Sequence, residues 1–178
     1  MSQLQAPDFE ALFFDTFSTQ PHGVEYRIRC DSNFPHDLYF LHSLLRDARF
    51  QFKSVTHRDE TLEVKLSRAR WELRDEVAQC NLIEIPSFLK FTHVRKVTLR
   101  TRNVTTTAPF SGNLYADEDM LTPNSLCEID NLYVGESYLN GVEEHVELVL
   151  RGCPGDWEMR VYLDRENFGV SVKDVIQR

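Results

Sequence analysis

Arg68, Arg70 and Arg74 fall at even spacing in one strand-like stretch, and Lys96, Arg100 and Arg102 do the same in another. Even spacing in a β-strand puts side chains on one face, so each trio forms a row of cations. If the two strands are neighbours, six cations share a patch that can hold phosphates or the acidic surface of a partner protein. Glu63, Glu72 and Glu84 can interleave there and convert the patch into cross-strand ion pairs, which is the more ordinary outcome. An acidic protein partner ranks next. Nucleic acid ranks last, because the sequence pI is near 5.2.

The acidic run Asp117-Glu118-Asp119, joined by Glu128 and Asp130, offers the hard oxygen ligands that calcium takes. It lacks the D-x-[DN]-x-[DN]-G order of a calcium loop, so solvated loop charge outranks a metal site. Of the histidines at 22, 36, 42, 57, 93 and 145, only His36 and His42 share an expected helix, and a six-residue separation does not stack them on one face. Cys153 stands in the turn Cys153-Pro154-Gly155-Asp156, where a thiol is more often structural than nucleophilic. Cys30, Cys80, Cys127 and Cys153 are far apart with no Cys-x-x-Cys pair, the pattern of reduced thiols. The chain holds neither a G-x-S-x-G elbow nor a glycine-rich phosphate loop, and we expect no cofactor.

The elements that must position these groups are read from periodicity. Residues 24–30 alternate apolar and polar, as a half-buried strand does. Behind Pro35, residues 36–47 place Leu38, Leu41, Leu44 and Leu45 at helical spacing, and residues 8–17 suggest a second short helix. The period then shortens to two. Strands are expected at 50–55, 61–66 and 68–74, with a polar connection at 56–60, then a short one at 81–86 stopped by Pro86. The β-branched run 94–106 reads as one long strand, and 107–124 as the longest loop. Strands at 126–134, 145–151, 157–163 and 169–175 follow.

Trp71-Glu72-Leu73-Arg74 returns as Trp157-Glu158-Met159-Arg160, each after an alternating stretch. The echo suggests two related β units, at about 20–106 and 124–176, with the two Trp side chains at equivalent core places. Charge divides along similar lines: residues 46–102 carry 13 Lys and Arg against 8 Asp and Glu, although the net charge of the chain is -8. Opposed charge can draw surfaces together within or between molecules.

At 178 residues the chain suits a single compact domain. The fold expected is mainly β, with antiparallel strands in two related units forming a sandwich or barrel-like body and one or two short helices. The alternative is an α+β arrangement with a helix covering an antiparallel sheet. The longest apolar run is four residues and the first residues lack the features of a secretory signal, so we expect a cytoplasmic protein that does not enter membranes. In function we expect a non-enzymatic module that binds a protein partner or itself. The competing reading is a small-ligand or metal-binding protein, or a hydrolase, with its site under the 107–124 loop.

Overall fold

A computed structural model describes residues 25–29, 34–69, 84–101, 105–107, 121–135, 145–154 and 156–175. Among them are ten strands and one helix. In chain order these are β1 (Glu25–Arg29), α1 (Phe34–Leu45), β2 (Ala48–Arg58), β3 (Thr61–Ala69), β4 (Glu84–Thr92), β5 (Val94–Arg100), β6 (Thr105–Thr107), β7 (Leu126–Val134), β8 (His145–Cys153), β9 (Trp157–Asp164) and β10 (Gly169–Asp174). The fold is mainly β. The expected helix at 8–17, Trp71 and most of the 107–124 loop lie outside the described residues.

All ten strands belong to one antiparallel sheet, in the order β1-β10-β4-β3-β2-β7-β8-β9-β5-β6, which stays open between β1 and β6. The two halves of the sequence interleave in it: β10 leaves the late strands to pair with β1 and β4, and β9 pairs with the early strand β5. One residue makes the sharpest bend. His93, with φ of 58°, joins β4 to β5 directly, so a single run of chain leaves the ladder with β3 and β10 and enters the ladder with β9 and β6. Such a corner lets one strand serve two packed layers. It is held on both sides, by Val94 N donating to Glu60 O (2.9 Å) and Asp164 N donating to His93 O (2.9 Å).

The layers meet over aromatic rings. Trp157 of β9 is fully buried and stands edge-on to Phe50 and Phe52 of β2, at centroid distances of 5.3 and 5.6 Å, although two strands separate β2 from β9 in the sheet. Edge-to-face packing at this range adds to the gain from burying so large a side chain. Leu41, Leu44 and Leu45 turn the apolar stripe of α1 into the same core. The helix also covers backbone. β2 pairs with β7 only as far as Ile129, and beyond that point His42 Nδ1 accepts the Leu132 N–H at 3.1 Å, so the helix satisfies an edge that β2 leaves open.

Three expectations are corrected. The connection expected at 56–60 shrinks to Asp59 and Glu60, both at positive φ, because the strands run to the tip of the hairpin. Pro86 does not stop a strand; β4 runs through it, and the missing N–H faces the point where β10 ends at Asp174. The run 94–106 is not one strand. It turns back after Arg100, so that Thr98, Leu99 and Arg100 pair with Thr107, Thr106 and Thr105.

Candidate functional site

Of the two basic rows only Arg68, Lys96 and Arg100 lie among the described residues, and these three do not form one patch. Four strands, β2, β7, β8 and β9, stand between β3 and β5. Nor does Arg68 face solvent. β3 runs without a break from Thr61 to Ala69, so Arg68 shares the inward parity of Leu62, Val64 and Leu66 and is fully buried. Its guanidinium closes on Asp174, Nε to Oδ1 at 2.7 Å and Nη2 to Oδ2 at 2.6 Å, and Ser87 Oγ donates to the same carboxylate at 2.7 Å. This pair is part of the core. Arg70, Arg74 and Arg102 lie outside the described residues, as do Asp117, Glu118 and Asp119.

Lys96 and Arg100 do reach the surface of β5, and the ladders bring them different neighbours from those the sequence suggested. One cross-strand row runs Asn131, Arg151, Glu158, Arg100 through β7, β8, β9 and β5. The next runs Tyr133, Val149, Arg160, Thr98, with Val149 and Thr98 buried at its floor. A third sets Glu147 beside Tyr162 and Lys96.

Within this face the acids are already taken. Arg160 Nε lies 2.5 Å from Glu158 Oε1 and its Nη1 lies 2.7 Å from the buried Glu147 Oε1. Desolvation opposes its charge, yet the hydrogen bonds to Glu158 and Glu147 outweigh that and hold the guanidinium pKa above its ordinary value. Tyr133 OH donates to Glu158 Oε2 at 3.3 Å, and its pKa is raised by burial and then by the same carboxylate. Burial, with Glu147 next, also raises Tyr162, over whose ring Lys96 Nζ stands at 5.9 Å. Arg100 and Arg151 flank Glu158 on either side and make no ion pair among the described residues. The result is a face with two free guanidiniums, an ammonium and two tyrosine rings.

The Arg151 and Arg160 contributions were missed because each is a single basic residue in an apolar strand. The informative signal is the register that sets Arg151 of β8 opposite Glu158 of β9, while Arg160, opposite Val149, reaches Glu158 and Glu147 along the same face.

Glu128, Asp130 and Cys153 present ligand atoms within 4.8 Å of one another. Arg49 Nε already holds Glu128 at 3.1 Å, and burial, then Asp130 and Glu128, raise the Cys153 thiol pKa. A protonated thiol beside an engaged carboxylate is a poor ligand set, and equally a poor nucleophile.

No protein-family model, curated protein or solved structure matches the chain. Among the described residues no helix is long and apolar enough to cross a membrane.

Proposed function

We propose that the chain is a non-enzymatic interaction module that docks an acidic segment of another protein on the outer face of β7, β8, β9 and β5. The observation that carries this reading is the pairing of Arg160 with both Glu158 and Glu147, which leaves Arg100, Arg151 and Lys96 outside any ion pair among the described residues, so that four cations face two carboxylates beside Tyr133 and Tyr162. Tyrosine and arginine are enriched among the few side chains that dominate the energy of protein interfaces, and a polar face with buried small residues at its floor offers both charge and shape. What the face provides chemically is charge and aromatic area.

A different protein is the better occupant than a second copy. A basic face that meets an acidic face of a second copy makes a heterologous contact, which grows open-ended unless the rotation closes. Nucleic acid is disfavoured by the net charge of -8, which repels a polyanion at long range.

The test is fluorescence anisotropy with a labelled oligoglutamate peptide and, in parallel, a single-stranded oligonucleotide of equal charge. We expect the peptide to bind, and Arg100→Glu with Arg151→Glu to abolish binding while the circular dichroism spectrum and Tm hold. Peptide binding that survives both substitutions, or tighter binding of the oligonucleotide with a steep salt dependence, would overturn the proposal.

A further inference from the structure

The outer face at the other end of the sheet carries a groove of about 630 Å3 over β1, β10 and β4, lined by Arg27, Lys90, Thr92, Glu166, Gly169 and Ser171. A glycine opens it. Gly169 sits in register between Arg29 and Thr92, and a Cβ there would come to 3.1 Å from Thr92 Oγ1, so the lack of a side chain leaves a depression in the middle strand. The turn after β9 walls one end, folded on Asp164 Oδ1, which accepts the N–H groups of Glu166 and Asn167 at 3.1 and 3.2 Å.

At the other end, Arg27, Ser171 and Lys90 occupy one cross-strand row. Neighbouring strands lie ~4.8 Å apart, so the two cations bracket the serine hydroxyl from strands about 10 Å apart. Arg27 spends one nitrogen on Glu25, which Lys173 also holds at 3.1 Å, and its side chain stays 66% exposed. Lys90 has Glu63 opposite it on β3 but makes no ion pair among the described residues.

We infer that this groove binds a small phosphate monoester whose carrier is hydroxylated, in the manner of a sugar phosphate. The phosphate sits over Ser171 between Arg27 and Lys90. At neutral pH a phosphate monoester carries a charge close to -2, which matches two cations where a carboxylate matches one. A volume in the range typical of small-molecule sites leaves room for a carrier beyond the phosphate. Along the floor, Thr92, Asn167 and the Glu166 carboxylate present partners for hydroxyl groups. Glu166 at the far end repels a second phosphate, so a monophosphate binds better than a bisphosphate.

The experiment is an amide chemical-shift titration of the full chain with ribose 5-phosphate, ribose, inorganic phosphate and ribulose 1,5-bisphosphate. We expect saturable shifts at Gly169, Ser171 and Thr92 with ribose 5-phosphate, weaker binding of inorganic phosphate and of the bisphosphate, and no response to ribose. Lys90→Ala and Arg27→Ala should each weaken binding about tenfold or more, since each removes a charged hydrogen-bond donor. Gly169→Ala, which narrows the floor and keeps both cations, should weaken ribose 5-phosphate more than inorganic phosphate. Shifts that are unsaturable, that persist in Lys90→Ala and Arg27→Ala, or that are as strong with inorganic phosphate would overturn the inference.

Discussion

Arg68 and Asp174 form a bidentate ion pair sealed from solvent, with side-chain exposures of 0% and 1%, and so tie the end of β3 to the end of β10 across the width of β4. A buried pair of this kind sets register, because either charge alone in that place is far costlier than both together. Asp174→Ala should therefore destabilise the fold by about 3–5 kcal/mol in urea unfolding. Arg68→Met combined with Asp174→Leu and Ser87→Ala should recover most of that loss. If the triple variant is no better than the single one, the pair stabilises by more than charge compensation.

Gly152 is a matter of close approach. An added Cβ would overlap Glu128 O and come to 2.8 Å from Trp157 Cζ2, and neither the β7 backbone nor a ring wedged between Phe50 and Phe52 can move aside cheaply. Gly152→Ala should cost about 1–3 kcal/mol, as overpacking a tight core does. The check is a denaturation midpoint shifted with an unchanged slope, accompanied by altered Trp157 fluorescence.

His42 gives the contact between α1 and β7 a pH dependence. Burial, with Arg46 adding repulsion, lowers its pKa below the ordinary 6.5, and the Tyr39 ring is its other close neighbour on the helix. The folded state then binds fewer protons than the unfolded one. The contribution is complete above pH 6.5 and is lost as pH falls through the depressed folded value. Protonation also ends the acceptance of the Leu132 N–H. Thermal melts across this range should show a steeper acid-side decline in wild type than in His42→Gln, and hydrogen exchange at Leu132 should quicken as pH falls.

Arg95 clamps the His93 corner, with Nη1 2.6 Å from Glu60 Oε1 and Nη2 2.7 Å from Asp164 Oδ2. The hydrogen bond from Arg95, followed by the Glu166 N–H, lowers the Asp164 pKa from 3.8 to about 2. Because the folded value is depressed, this stabilisation is present above pH 3.8 and disappears as pH falls toward about 2. Arg95→Ala should return the Asp164 carboxyl toward its ordinary value in an NMR titration. Since the pair is exposed, the loss of Tm should be small and should shrink at high salt.

Local pattern made the strands from β7 to β10 legible almost to the residue, and α1 within two residues at each end. Alternation reports which residues face a core, and that signal needs no knowledge of neighbours. It failed where a strand continued past an expected break: treating 68–74 as a new strand put Arg68 outside, whereas the unbroken β3 carries it inside. A one-residue error in where a strand begins reverses every side chain after it. The same weakness hid the fold-back after Arg100, since Thr and Val suit one long strand as well as a hairpin.

What the sequence determined by itself was the inventory: mainly antiparallel strands, the apolar stripe of α1, an inward Trp157, and outward Lys96 and Arg100 on β5. Which of these stand side by side was decided only by the tertiary structure. The bend at His93 sends β5 to β9 and leaves β4 with β10, and those two ladders place Arg100 beside Glu158 and Lys90 beside Ser171. The reason is physical. Facing is set by a period of two within one strand, whereas neighbours are set by hydrogen-bond ladders between segments far apart in the chain, whose pairing is chosen by the core they close together.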